Sequence, residues 1–578
     1  MAKYYTNEKN AQIIIALLKK HGIRKVVASA GTTNMALVGS MQYDPFFEMY
    51  SSVDERSAAY LACGLATESG EPVVISCTGA TASRNYMPGL TEAYYRKLPI
   101  LAITSTQHIS KIGHHIAQVI DRATIPNDVA NLSLLLPSVN NSEDFWDCEM
   151  KVNQAILELK RRGGGPVHIN LTTNYGGFDT TELPNVRSID RICLTDNFPP
   201  LPKGKIGILV GSHKTMSDSL VNSIDKFCES NNAVVFCDHT SSYKGKFGVQ
   251  YSYVAGQSMR PSTVSEVRVM IHIGEVTGDY YSITLKANEV WRVSEDGEIR
   301  DTFNKLTNIF EMPEQSFFEH YANDTKVDNT FLAECKRNLD NLRKKLPEVT
   351  FSNVWLASKM AHRIPENSVI HFAILNSLRA WNLFELPKSV SSMSNVGGFG
   401  IDGCLSTLIG ASFVNKEKLY FCVTGDLAFF YDMNVLGNRH VGSNIRILMV
   451  NNGVGTEFRQ YRHHAFSFGK KADDFIAAAG HYGNKSSVLV KNYAESLGFD
   501  YISASNKDEF EDVYENFLSP ELTSKPMLFE VFTNDEDESK ALETILNVEE
   551  NVKGKAVKVA SQILGKGGIS KLKKIINK

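Results

Sequence analysis

Two dipeptides at strand ends carry the strongest chemical signal in this sequence. KLYFCVTGDLAFF sets Gly425-Asp426 just past an apolar strand pattern, where a helix opens; IRILMVNNGVGTEF sets Asn451-Asn452 just past another. Ligands of open parallel sheets gather at such carboxyl ends. An Asp carboxylate, an Asn amide oxygen and a nearby backbone carbonyl are hard oxygen ligands. They suit Mg²⁺, which completes its shell with water and phosphate oxygens. The N–H groups of a helix start beside Asp426 suit a phosphate. Taken together these residues read as a magnesium-diphosphate site. Taken separately, Asp426 reads equally well as a helix cap and the two Asn as turn residues.

Such groups must be held by sheets, and the hydropathy pattern supplies them. In the first third, Ala11 to Lys20 reads as an amphipathic helix ended near Gly22, and Arg56 to Thr67 as a second helix rich in small residues. RKVVAS (24–29), PVVISC (72–77), LPILAIT (98–104) and GPVHINL (165–171) read as buried strands, with polar sequence following to about Pro202. A second block holds KIGILVGS (205–212), AVVFC (233–237) and RVMIHIG (268–274), and a charged stretch from Met312 to Leu346 reads as irregular. A third block holds SVIHFAI (368–374), KLYFCVTG (418–425), IRILMVNN (445–452) and PMLFEVF (526–532). Apolar strands alternating with helices predict an α/β protein of three doubly wound parallel-sheet domains. The first and third blocks are candidates for one shared architecture.

Composition narrows the class. A chain of 578 residues, 43% hydrophobic and 22% charged, is long enough for several cores and is not disordered. Its net charge of −3 argues against a chain-wide nucleic-acid surface. No apolar run reaches the ~18 residues of a membrane span, and the start lacks the basic-then-apolar order of a signal peptide. Nine scattered Cys, with no C-x-x-C pair and many in apolar runs as at Cys237 and Cys422, predict reduced thiols in a cytoplasm.

The spacing of GD and NN, about 26 residues, resembles the diphosphate-binding signature of the thiamine-diphosphate-dependent enzymes. Further pieces in order extend the resemblance over most of the chain. SSVDERSAAYLACGLA (51–66) resembles the family's catalytic-glutamate helix, with Glu55 at the key position. PVVISCTGATASRNYMPGLTEAYYRKLPILAIT (72–104) resembles the strand, substrate loop and helix that follow, and SNVGGFGIDGCLSTLIGAS (394–412) the segment before GD. The nearest subfamily resemblance, carried by VDERSA, GPVHIN, GIDG-x-x-ST and GDL-x-F-x-x-DMN, is to the 2-succinyl-5-enolpyruvyl-6-hydroxy-3-cyclohexene-1-carboxylate synthases of menaquinone synthesis.

This resemblance implies a pyrimidine-binding domain at 1–185, a middle domain at 186–345, a diphosphate- and Mg²⁺-binding domain at 346–540 and a tail at 541–578. It implies that Glu55 hydrogen-bonds the aminopyrimidine of thiamine diphosphate and so promotes ionisation of the thiazolium carbon, acid–base work done through the cofactor. Asp426, Asn452 and the Val454 carbonyl would bind Mg²⁺. Gly425 and Leu427 would flank the diphosphate, and Ile401 would bend the cofactor into its V shape. Gln118 resembles a family glutamine facing the reacting centre. The family also implies a homodimer or homotetramer with the active site built between chains, and a small 2-oxo acid as substrate.

Departures from the subfamily concern its cationic substrate pocket. Ala30-Gly31-Thr32-Thr33-Asn34 lacks an expected Arg, as do Asn395-Val396-Gly397 and Thr104-Ser105-Thr106-Gln107; a basic pair is replaced near Thr277-Gly278-Asp279-Tyr280. The cofactor pieces stay intact, so the pattern predicts a paralogue with another substrate. It would be a decarboxylase or carboligase releasing CO₂ from a 2-oxo acid; the synthase itself and a catalytically silent scaffold are the alternatives. His114-His115, near Gln118, read either as a proton shuttle through His115 or as a solvated loop. Arg379 and Arg84 are candidate holders of a carboxylate or phosphate, and His463-His464 of a site entrance or a solvated loop. GFGIDG (398–403) spells a dinucleotide fingerprint but lacks a convincing buried strand before it.

From Asn551 to Lys578 there are eight Lys and no Asp or Glu, so this segment carries +8 and the rest of the chain −11. Apolar residues at helical spacing among these lysines suit three roles: peripheral contact with an anionic membrane surface, a helix packed on the protein's acidic body, or a solubilising tail.

Overall fold

The computed structural model describes residues 4–122, 124–257, 267–477, 479 and 486–549. The basic segment 551–578 lies outside the described residues. The chain forms two compact units, one running through Cys193 and including Gly297–Ile309, the other comprising Leu194–Asp296 and the chain from Phe310.

In the first unit, helices α1 (Lys9–Lys20), α2 (Met35–Met41), α3 (Glu55–Ser69), α4 (Thr81–Asn85), α5 (Met87–Tyr95) and α6 (Ser142–Glu158) cover a six-stranded sheet. Its strands are β1 (Lys25–Ala28), β2 (Glu48–Ser51), β3 (Val73–Cys77), β4 (Ile100–Thr106), β5 (Leu132–Leu136) and β6 (Val167–Thr172), in the order β2-β1-β3-β4-β6-β5, all parallel. Val73–Cys77 and Ile100–Thr106 are buried at every position, as strands covered on both faces must be. Small residues let α3 lie close: a side chain on Gly89 of α5 would meet the Ala59 Cβ at 2.5 Å. The polar run before Pro202 contains a further short strand, β7 (Asp190–Cys193).

The second unit holds two sheets. The strands β8 (Lys205–Val210), β9 (Ala233–Cys237), β10 (Gly248–Gln250), β11 (Val267–Ile273) and β12 (Ala287–Ser294) are parallel in the order β10-β9-β8-β11-β12, a doubly wound arrangement; β13 (Leu306–Glu311) follows in sequence. Helices α7 (Asp218–Ser230) and α8 (Ser252–Ala255) belong to this part. The stretch Met312–Leu346, expected to be irregular, instead contains α9 (Glu314–Tyr321) and α10 (Thr330–Arg343). Buried Phe331, Cys335, Leu339 and Leu342 form a helical stripe in α10 that its charged residues dilute in the sequence.

The last sheet comprises β14 (Val369–Phe372), β15 (Ser391–Ser394), β16 (Tyr420–Gly425), β17 (Ile445–Asn451), β18 (Asp500–Ala504) and β19 (Met527–Phe532). Its order, β15-β14-β16-β17-β19-β18, repeats the first sheet's strand for strand, again wholly parallel. The first and third blocks therefore share one topology. Helices α11 (Asn353–Met360), α12 (Asn376–Trp381), α13 (Cys404–Ser412) and α14 (Asp426–Asp432) belong to this part. SVSSMSNV does contain a strand, β15, which tolerates serines because it is a partly exposed sheet edge. No helix among the described residues is long and apolar enough to cross a membrane. All nine cysteines are free; Cys422 is buried and Cys237 half-buried.

Candidate active site

Gly425 pairs with Val450 across β16 and β17, so the GD and NN segments leave neighbouring strands side by side. Asp426 is 2% exposed. Its Oδ1 accepts the Leu427 N–H at 2.9 Å and its Oδ2 the Gly453 N–H at 3.0 Å. The two asparagines divide the work. Asn451, the last residue of β17, donates through Nδ2 to Glu530 at 2.7 Å, while Tyr501 donates to the other Glu530 oxygen at 2.8 Å. Asn451 thus ties β17 to β19. Asn452 faces a cavity, and its Oδ1 accepts the Val454 N–H at 3.4 Å.

That cavity measures about 110 Å³. Ile401, Gly425, Asp426, Leu427, Asn452 and Val454 all line it, so every residue expected at the cofactor's diphosphate and metal end comes together in one place. The loop after β14, through Leu375 and Asn376, forms another wall. β14 and β16 are adjacent, and the chain leaves them toward opposite edges, which makes this the topological switch point. Leu375 holds φ 63°, ψ −123°, a conformation natural to glycine, and such strain concentrates at functional sites. Two motif pieces act from outside the cavity. Asp432 accepts from the Ser406 N–H at 2.7 Å and from its hydroxyl at 2.5 Å, locking α14 onto α13.

Two cavity-lining acids escape a sequence reading. Glu538 is 4% exposed, and burial pushes its carboxyl up to about 7 although the Thr533 hydroxyl and the Asn353 N–H donate to it. It sits in an acid-rich run that looks solvated. The signal was its phase: Glu538, Ala541, Leu542 and Ile545 share the buried stripe of one helix. Glu457, the second, takes both ends of the Arg379 guanidinium at 2.8 and 3.0 Å. Arg379, a candidate holder of a substrate carboxylate, is therefore already paired within the protein. It also lies 5.1 Å from the centre of the Tyr280 ring.

The basic pair replaced in the middle block has become internal bonding. Thr277 donates to Asp238 at 2.7 Å, and Asp279 accepts from Ser252, Tyr281 and Ser282. His463 accepts the Ala465 N–H at 3.0 Å through Nδ1 and so serves as a cap. Among the described residues no three His, Cys, Asp or Glu side chains converge, so a cation at Asp426 would be held by one carboxylate with amide and carbonyl oxygens. That donor set fits Mg²⁺ carrying phosphate oxygens.

In the first unit, Glu55 opens α3, whose cap is Asp54 accepting the Ser57 N–H at 3.1 Å. Asn85 of α4 donates to Glu55 Oε2 at 3.4 Å. His114, His115 and Gln118 are exposed on the loop between β4 and β5. His115 and Gln118 have φ of 56° and 64°, and the Gln118 carbonyl packs against Gly79, where a Cβ would come within 3.2 Å. No hydrogen bond joins Glu55, His115 and Gln118 to one another. Arg84 donates to the Asp121 carbonyl at 3.0 Å.

Duplicated parallel α/β sheets, with Asp426 and Asn452 lining a cavity at the switch point, fit the diphosphate end of a thiamine-pyrophosphate enzyme. Residues 8–125 match the family described as thiamine pyrophosphate enzyme, N-terminal TPP binding domain. The chain is 32% identical to the 2-succinyl-5-enolpyruvyl-6-hydroxy-3-cyclohexene-1-carboxylate synthase of Bacteroides fragilis, over 93% of this chain and 98% of that protein. The synthases of Phocaeicola vulgatus and Bacteroides thetaiotaomicron are each 31% identical with the same coverage. The chain belongs to the thiamine-pyrophosphate-dependent enzymes, in the family that contains these synthases.

Proposed function

We propose that the protein uses thiamine diphosphate and Mg²⁺ to decarboxylate a small 2-oxo acid, and then protonates the carbanion or transfers it to an acceptor. The observation carrying this reading is the convergence of Asp426, Asn452, Val454, Gly425, Leu427 and Ile401 on one cavity. Asp426, Asn452 and the Val454 carbonyl would hold the metal, and Ile401 would support the bend of the cofactor. Bound thiamine diphosphate contributes an acidic thiazolium carbon and a sink for the electron pair left as CO₂ departs. Glu55 holds and returns a proton at the pyrimidine ring nitrogen, with Asn85 steadying its carboxylate. Gln118 and His115 would face the substrate from their loop.

Division of labour follows the expected segments, with pyrimidine binding in 1–185, a middle domain in 186–345 and diphosphate binding in 346–540. Assembly as a homodimer or homotetramer is supported by the bare face of α3, where Tyr60 and Leu61 are exposed beside Val53 at 93% exposure. The site would then be built from Glu55 of one chain and Asp426 of its partner in the cytoplasm. The basic segment 551–578 would make peripheral contact with an anionic membrane surface.

A second reading, the synthase activity named in the relatives, is favoured by similarity over 93% of the chain. Against it stand the commitment of Arg379 to Glu457 and the lack of basic residues in Thr277-Gly278-Asp279-Tyr280, which leave fewer free cations for a carboxylate-rich substrate. The test is CO₂ release from a panel of 2-oxo acids with thiamine diphosphate and Mg²⁺, with and without isochorismate. Release from an acid other than 2-oxoglutarate supports the paralogue; turnover only of 2-oxoglutarate with isochorismate supports the synthase. No release from any acid would sink both.

A further inference from the structure

A second and smaller cavity, about 20 Å³, lies in the first unit beneath the turn that follows β3. Its polar wall is formed by Ser83 and Arg84 of α4, Thr104 of β4, His168 of β6, and Arg122. It shares no residue with the cavity at Asp426.

Arg122 is 3% exposed. One guanidinium nitrogen, Nη2, donates to the Asn170 amide oxygen. The other two, Nε and Nη1, are buried without a hydrogen-bond partner. No carboxylate among the described residues pairs with it, and Arg84, which also lines the cavity, has the same sign. Burial lowers Arg122 only to about 10, so it stays charged near neutral pH. His168 offers no compensation. Burial holds it at about 3, hence neutral, and the hydroxyls of Thr104 and Ser133 occupy its two ring nitrogens at 2.8 Å each.

A buried, unpaired cation with two idle donors is costly to fold unless an anion meets it. The space available exceeds the ~10–15 Å³ that one water-sized particle needs, and it is too small for a phosphate or a substrate. We propose that this cavity binds one small monovalent anion of halide size, held by Nε and Nη1 of Arg122 with Arg84 as the second positive charge. The site has a route to the chemistry. Asn85, the next residue of α4 after Arg84, is the one that donates to Glu55, so the anion steadies the turn that presents Asn85.

The test uses the full chain. Crystals grown in sodium bromide should show an anomalous peak within hydrogen-bond reach of Arg122 Nε or Nη1. The thermal midpoint should rise saturably in chloride or bromide, by roughly 1–3 °C, over sodium gluconate at equal ionic strength. Arg122→Met, similar in length but uncharged, should lose that halide response. The bromide peak in the unaltered protein decides, whether or not the variant folds. Density without anomalous signal, with equal midpoints in gluconate and halide, would mean that water fills the cavity and would overturn the proposal.

Discussion

The carboxylate of Asp426 accepts the Gly453 N–H at 3.0 Å, joining the loop after β16 to the loop after β17. The bond sets the side chain between the two strand ends and turns it toward the cavity shared with Asn452. Asp426→Ala should cut Mg²⁺-dependent affinity for thiamine diphosphate by more than about 100-fold, because even outer-shell partners of a metal are worth 10–100-fold. Isothermal titration with and without Mg²⁺ measures it. Equal affinity in the variant would remove Asp426 from the metal site.

Arg379 and Glu457 form a two-point ion pair with little solvent access, at 12% and 19% side-chain exposure. Arg379→Met should destabilise the protein by about 3–5 kcal/mol, since it leaves a carboxylate uncompensated. The double variant Arg379→Met with Glu457→Met should recover most of that loss. Urea unfolding of the single and double variants gives the coupling. Additive losses would show that the pair is not a unit.

Burial raises Glu538 from the usual 4.5 to about 7, so the folded protein keeps a proton there that the unfolded chain has already released. The folded state binds more protons between those values, and stability falls as pH rises from about 4.5 to 7. The loss, complete above 7, is on the order of 3 kcal/mol. Glu538→Gln should flatten this part of the pH dependence in protein free of cofactor and metal. Identical pH slopes for the two proteins, measured by urea unfolding at pH 5, 6, 7 and 8, would refute the shift.

Legibility in the sequence followed periodicity and failed where signals cancelled. The buried strands stood out because parallel strands covered on both faces are continuous apolar runs, as in Ile445–Asn451. Amphipathic α10 did not, because Glu334, Lys336, Arg337 and Asp340 separate its four buried positions. Serine-rich β15 lay at an edge, where burial no longer dictates residue type. At the site, motif spacing brought out Asp426 and Asn452, which sit at strand ends. It could not show that Arg379 already has Glu457 as a partner, for the two are 78 residues apart. Arg122 and Glu538 gain their meaning from burial, which spacing alone does not report.

Exchange of the thiazolium carbon's proton for deuterium reports whether Glu55 activates thiamine diphosphate. The measurement follows bound cofactor by quenched-flow NMR in the unaltered protein and in Glu55→Gln, each with Mg²⁺ and saturating thiamine diphosphate. Glu55→Gln should bind the cofactor normally but exchange roughly 10²–10⁴-fold more slowly, because an amide cannot hold and return the proton. Exchange at the same rate in both proteins, with cofactor bound in both, would show that Glu55 does not activate the cofactor.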